Sequence, residues 1–186
     1  MSHILTGKKA PHFATQDQHN KLQSLTDYLG KWVILYFYPK DMTPGCTVEA
    51  CSFRDSLERI IAKGAVVLGV SGDSVKRHAK FAETEQLSFP LLADEDKKIC
   101  EAYGAIGKKK FMGREFVGIL RNTYLINPEG VIVKVYESVK PAGHVDEILK
   151  DLAEMTGEMA RAEALGNDVS PREQAIFAAV KRLHES

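Results

Sequence analysis

Two cysteines five residues apart are the side chains best placed to do chemistry, in Tyr38-Pro-Lys-Asp-Met-Thr-Pro-Gly-Cys46-Thr-Val-Glu-Ala-Cys51. The run before them, Trp32-Val-Ile-Leu-Tyr-Phe-Tyr38, is unbroken and apolar, and reads as a strand buried on both faces of a mostly parallel sheet. After them Val48, Ala50, Phe53, Leu57, Ile60 and Ile61 recur with helical spacing. Pro39, Pro44 and Gly45 break the chain between the two elements. Cys46 is therefore expected in the first turn of a helix, where unpaired backbone N–H groups and the macrodipole favour an anion. The thiolate is the nucleophilic form of cysteine, and Cys46 is the expected thiolate.

Neighbouring residue types suit that role. The Thr43 hydroxyl can turn toward the sulfur and donate to the thiolate or to a substrate oxygen. Pro39 and Pro44 offer no N–H and stiffen the loop. A buried structural cysteine beside an ordinary loop is the bland alternative. Cys51 narrows the reaction type. Five residues of intact helix rise about 7.5 Å, beyond the roughly 4.4–6.8 Å Cα separation of a disulfide, so the sulfurs join only after local unwinding. A zinc site would need two further ligands, and His3, His12, His19, His78, His144 and His184 form no closely spaced pair. Dithiol exchange of the Cys-x-x-Cys kind has a shorter spacing. Peroxide chemistry remains, in which a thiolate becomes a sulfenic acid and a second thiol condenses with it.

On these residues the chain resembles the peroxiredoxins, and within them the bacterioferritin comigratory protein or peroxiredoxin Q subfamily. The family's Pro-x-x-x-Thr-x-x-Cys signature stands as Pro39-Lys-Asp-Met-Thr43-Pro-Gly-Cys46, and the subfamily's continuation runs to Cys51-Ser-Phe-Arg-Asp55. A second block is Lys109-Lys-Phe-Met-Gly-Arg-Glu-Phe-Val-Gly-Ile-Leu-Arg121-Asn-Thr-Tyr-Leu-Ile126. The resemblance implies a peroxidatic Cys46, a resolving Cys51 and an active-site Arg121, with Pro39 and Thr43 beside them. It also implies reduction of hydrogen peroxide and organic hydroperoxides, and recycling by thioredoxin or a similar dithiol protein. No metal, flavin or haem is required. Arg121, on a strand read over Val117–Ile126, would favour the thiolate and hold the departing oxygen. Glu49 either orients Arg121 or simply favours the helix N-terminus. Cys100 reads as a buried inert thiol, although relatives with a resolving cysteine in a later helix keep it open as a partner. A redox sensor and a holdase using the C-terminal tail are the alternatives from other classes.

The remaining sequence must position these groups. At 186 residues and 44% hydrophobic content the chain suits one compact domain with a full core. Lys plus Arg and Asp plus Glu are equal at 25 each, so no global field draws the chain to nucleic acid or to a membrane. Lys108-Lys-Lys110 reads as a solvated loop. No apolar leader and no run long enough to span a bilayer is present, and three cysteines do not suggest a secreted scaffold, so the expectation is a cytoplasmic protein. A monomer or weak homodimer is expected.

Ala65–Ser71 reads as a second buried strand, followed by a helix capped by Ser74 and running to about Gln86. Leu87–Leu92 leads to a short element, and Asp94 or Asp96 starts a helix carrying Ile99, Cys100 and Tyr103. Thr123–Ile126 and Val131–Tyr136 form a hairpin about Asn127-Pro-Glu-Gly130. A helix follows from about Ala142 to Met155. The fold class is α/β, a mixed sheet with helices on both faces, consistent with the thioredoxin-like fold that the resemblance implies. Residues 1–156 are read as that domain and 157–186 as a helical extension. Ser170-Pro-Arg-Glu173 starts its helix, and Ile176, Phe177, Val180 and Leu183 form its apolar stripe.

Overall fold

The computed structural model describes residues 5–165, so the extension's helix start at Ser170 and its stripe lie outside the described residues. Along the chain run β1 (Ala14–Gln16), β2 (Leu22–Ser24), β3 (Trp32–Phe37), α1 (Pro44–Asp55), α2 (Leu57–Ala62), β4 (Ala65–Ser71), α3 (Val75–Glu85), β5 (Leu91–Ala93), α4 (Lys98–Ala102), β6 (Ile106–Phe111), β7 (Arg114–Ile119), β8 (Thr123–Ile126), β9 (Ile132–Tyr136) and α5 (His144–Leu165). Five strands make the central sheet in the order β5-β4-β3-β8-β9. β3, β4 and β5 are parallel, while β8 runs antiparallel to both β3 and β9. The chain divides into one unit ending at Val145, which holds this sheet and α1 to α4, and a second beginning at Asp146, whose described part is the rest of α5.

Period-two alternation along β3 sends its side chains to both faces of the sheet. Tyr36 stacks on Phe53 of α1 with centroids 4.6 Å apart, and Tyr38, just past the strand, lies 6.4 Å from Phe81 of α3. On the opposite face Phe37 meets Tyr103, which follows α4, and Tyr124 of β8. Every residue of β3 is buried, as its unbroken apolar run requires. The expected mixed sheet with helices on both faces is therefore present.

The local expectations hold in part. Ser74 caps α3 by accepting from Arg77 N, and Gln86 ends it in a left-handed conformation at φ 54. Asp94 accepts from Ile99 N and Cys100 N, while Asp96 accepts from Lys98 N, so both aspartates serve the start of α4. Three expectations are corrected. The helix read through Ile61 breaks at Ser56, whose φ of −101 and ψ of 4 separate α1 from α2. Lys108-Lys-Lys110 lies in β6, paired with β7 as a two-stranded hairpin. The strand read over Val117–Ile126 is interrupted, because β7 pairs with β6 while β8 pairs with β3, and the chain bends through Leu120-Arg121-Asn122 to change partners. The last helix starts close to expectation but runs on to Leu165. Among the described residues no helix is long and apolar enough to cross a membrane.

Candidate active site

β3 delivers the chain to the site. Tyr38 N still donates to Val70 O at 3.1 Å, and the loop from half-buried Pro39 to Thr43 then leads into α1. Thr43 is the N-cap, with extended backbone at φ −89 and ψ 152, and Pro44 occupies the first helical position. Cys46 thus falls in the first turn, as expected, and is 1% exposed. This position lies at the positive end of the helix dipole, where free N–H groups favour an anion.

Arg121 reaches this sulfur from the bend between β7 and β8. Its Nη2 donates to Cys46 Sγ at 3.4 Å, and its Nη1 forms an ion pair with Glu49 Oε2. Burial opposes the guanidinium charge, but Cys46 and Glu49 outweigh it and hold the Arg121 pKa above its ordinary value. Val139 N donates to Arg121 O at 2.8 Å, and Asn122 N donates to Leu120 O at 2.9 Å, fixing the backbone of the bend. Glu49 lies one turn beyond Cys46 and is fully buried. Burial raises its pKa to about 7, with Arg121 pulling the other way. Of the two roles open to Glu49, the contact to Arg121 is made.

Gly45 was read from sequence only as a chain breaker, and the structure gives it a second role beside Arg121. A Cβ there would stand 3.2 Å from Arg121 Nη2, closer than an ordinary contact. The signal was present in the signature itself, as a glycine beside the nucleophile, but the group it makes room for comes from 76 residues away. His144 is a second residue that sequence left unassigned. Its Nε2 lies 2.8 Å from Thr123 Oγ1, and its ring stands edge-on to Phe53 and Tyr136. Burial, then the charge of Arg121, lowers its pKa to about 4.

Thr43 sits beside the helix start, but its hydroxyl proton goes elsewhere. Oγ1 donates to Lys40 O at 2.8 Å, closing the loop, so that proton is not given to the Cys46 sulfur. A buried network clamps the same loop from below. Tyr38 OH donates to Asp41 Oδ1 at 2.6 Å, Asp41 Oδ2 lies 2.6 Å from His78 Nδ1, and Asp41 N donates to Asp73 Oδ2 at 2.8 Å. Arg77 adds Nη2 to Asp41 O at 3.2 Å and an ion pair with Asp73. Among the described residues Asp41, Asp73 and His78 form the one cluster of metal-type donors, and their facing atoms are engaged in this network. It holds Met42 in a left-handed conformation at φ 62, just ahead of the N-cap.

Cys46, Cys51 and Cys100 are all free thiols. Unbroken α1 separates the first two, and half-buried Cys51 donates to Glu85 Oε2 at 3.4 Å. Burial, then Glu85, raises the Cys51 thiol pKa. Cys100 is 0% exposed among core residues, and burial followed by Asp94 raises its thiol pKa strongly. The reading of Cys100 as a buried thiol agrees with this. Together these groups offer a sulfur at a helix N-terminus, a guanidinium that divides its two arms between that sulfur and Glu49, and a second, unactivated thiol on the same helix.

Residues 6–135 match the AhpC/TSA family. Peroxiredoxin Bcp of Bacillus subtilis is 47% identical over 153 residues, covering 82% of this chain and 98% of its own. Peroxiredoxin Bcp of Escherichia coli K12 is 44% identical, covering 83% and 99%. A solved structure concerning alkyl peroxide reduction by the Xanthomonas campestris bacterioferritin comigratory protein superposes with a TM-score of 0.74 at 38% identity, over 77% of this chain and 92% of that one. The sheet and helices are those of the thioredoxin-like fold that such proteins share. The chain belongs to the AhpC/TSA family as a peroxiredoxin of the Bcp and peroxiredoxin Q kind, and is a thiol peroxidase.

Proposed function

We propose that Cys46 attacks the peroxide as a thiolate, that Cys51 resolves the product, and that a thioredoxin-like dithiol protein completes the cycle. The observation that carries the first step is the 3.4 Å contact from Arg121 Nη2 to Cys46 Sγ at the helix N-terminus. The guanidinium favours the anionic sulfur, and its N–H groups not spent on Cys46 and Glu49 can donate to the peroxide oxygen. The sulfur takes the near oxygen as the O–O bond breaks, and the far oxygen leaves as water or an alcohol after gaining a proton. Gly45 leaves room for the guanidinium, and Glu49 orients its other arm. Pro39 and Thr43 shape the loop, with the Thr43 oxygen free to accept a hydrogen bond while its proton rests on Lys40 O.

The Cys46 sulfenic acid then condenses with the Cys51 thiol, releasing water. That requires α1 to unwind between them, since an intact helix holds the pair too far apart. Reduction of the disulfide by a dithiol protein restores both thiols. The reaction suits a reducing cytoplasm, and a monomer or weak homodimer is sufficient because Cys46, Cys51, Glu49 and Arg121 come from one chain.

The test is steady-state peroxide consumption with thioredoxin, thioredoxin reductase and NADPH. Hydrogen peroxide and an organic hydroperoxide should each be consumed for many turnovers. Cys46→Ser should lose at least about a hundredfold, since a neutral hydroxyl is a far poorer nucleophile than a thiolate. Consumption of a single equivalent would favour a redox sensor instead.

A further inference from the structure

On one helix the two sulfurs of the proposed cycle meet charges of opposite sign. Cys46 Sγ accepts from Arg121 Nη2 at 3.4 Å, whereas Cys51 Sγ donates to Glu85 Oε2 at 3.4 Å. Glu85 is the last residue of α3 and is tied to α1 a second time, because Arg54 Nη1 donates to its carbonyl oxygen at 2.7 Å. That carbonyl is one of those a helix leaves unpaired at its C-terminus, so Arg54 satisfies it while the Glu85 carboxylate takes the thiol proton's hydrogen bond. Arg54 and Asp55 are the other charges acting on Cys51, and Arg54 Nε is itself engaged by Asp55 at 2.9 Å. Burial, then Glu85, disfavours ionisation of Cys51, and Arg54 offsets part of this.

We propose that Glu85 is a positioning residue that keeps Cys51 a protonated, unreactive thiol docked on α3 while α1 is folded, so that peroxide reacts at Cys46 alone and Cys51 enters only when α1 unwinds. This rests on the assignment of Cys51 as the resolving cysteine. In the step that follows, the S–S bond forms, the S–O bond of the Cys46 sulfenic acid breaks, and the hydroxyl leaves as water with the Cys51 proton. The attacking form is the thiolate. Unwinding carries Cys51 away from the Glu85 carboxylate and removes its bias against that form. One motion thereby brings the sulfurs together and releases the second for reaction.

The test uses full-length Cys46→Ser protein, alkylated with iodoacetamide across a range of pH, with Cys51 distinguished from Cys100 by peptide mass spectrometry. Adding Glu85→Gln, a near isostere without the charge, should move the midpoint of the Cys51 rate–pH profile down by about half a unit and raise the rate near pH 7.5 on the order of threefold. Glu85→Ala should move it the same way. The plateau at high pH should stay in place for Glu85→Gln. A raised plateau with an unmoved midpoint would mean that Glu85 only braces the helix, and that result, like an unchanged profile, overturns the proposal. Peptide mapping of peroxide-treated protein with Cys46 intact reads the underlying assignment separately. A disulfide without Cys51 removes the resolving role and the proposal with it, while an unmoved midpoint beside a Cys46–Cys51 disulfide removes the Glu85 role alone.

Discussion

Arg121 divides its planar fork between a nucleophile and a carboxylate, with Nη2 on Cys46 Sγ at 3.4 Å and Nη1 on Glu49. A lysine keeps the charge but offers one compact donor group, which cannot hold both partners in a fixed plane. Arg121→Lys should therefore slow peroxide oxidation of Cys46 at least about tenfold, ~1.4 kcal/mol of transition-state stabilisation. Stopped-flow fluorescence of the lone Trp32 during peroxide mixing would measure this, and an unchanged second-order rate would reduce Arg121 to a structural residue. At this scale the nucleophile was legible because Pro39, Thr43, Pro44 and Gly45 mark a loop-to-helix junction in consecutive sequence. The arm on Glu49 was one of two roles left open for that carboxylate, because the pairing joins residues 72 positions apart and local sequence does not decide it. Only the family block pointed to Arg121. The donor role read for Thr43 also missed a competitor, the Lys40 carbonyl three residues upstream, which the tight loop places within reach of the hydroxyl.

At the scale of elements, α1 holds the two reacting thiols apart and must open for them to meet. Its register puts Cys46 in the first turn and Cys51 near its middle, with Cys51 and Arg54 both bonded to Glu85 of α3. Cys51→Ser should leave the first oxidation of Cys46 close to wild type but block resolution, so that excess peroxide drives Cys46 to the sulfinic state. Intact-mass measurement would show a gain of two oxygens. Cys100→Ser should behave as wild type, and the reverse pattern would transfer the resolving role to Cys100. The helix start was readable from proline and glycine, whereas its break at Ser56 was not, because Val48 through Ile61 keep helical spacing across it. Strand continuity failed for a related reason. Val117, Ile119 and Leu120 lead on to Thr123–Ile126 as one β-like run, but β7 is paired to β6 and β8 to β3, so the ladder's partner rather than local propensity decides where the strand stops. Lys108-Lys-Lys110 was read as loop because the β6–β7 hairpin is largely exposed and lacks the apolar alternation of a half-buried strand.

For the molecule as a whole, the site leaves a signature in stability against pH. His144 is lowered to about 4 from 6.5, so as pH falls from 6.5 through 4 the unfolded chain takes up a proton that the folded chain refuses, and stability is lost. Glu49 is raised to about 7 from 4.5, so its contribution is fully present below 4.5 and is lost as pH rises through 7. Urea midpoints between pH 4 and 8 should show both limbs. His144→Gln should flatten the acid side, and Glu49→Gln should gain on wild type as pH rises through 7, whatever constant offset follows from removing the carboxylate under the Nη1 arm of Arg121. A constant offset alone would contradict the burial of these groups. The α/β layering was legible from the buried runs of β3 and β4, since strands covered on both faces read as continuous apolar sequence. Disulfide mapping by mass spectrometry after one equivalent of hydrogen peroxide puts the Cys46–Cys51 cycle to its sharpest test. It should find a single Cys46–Cys51 bond with Cys100 still a free thiol. A bond that includes Cys100, or an unmodified Cys46, would contradict that cycle.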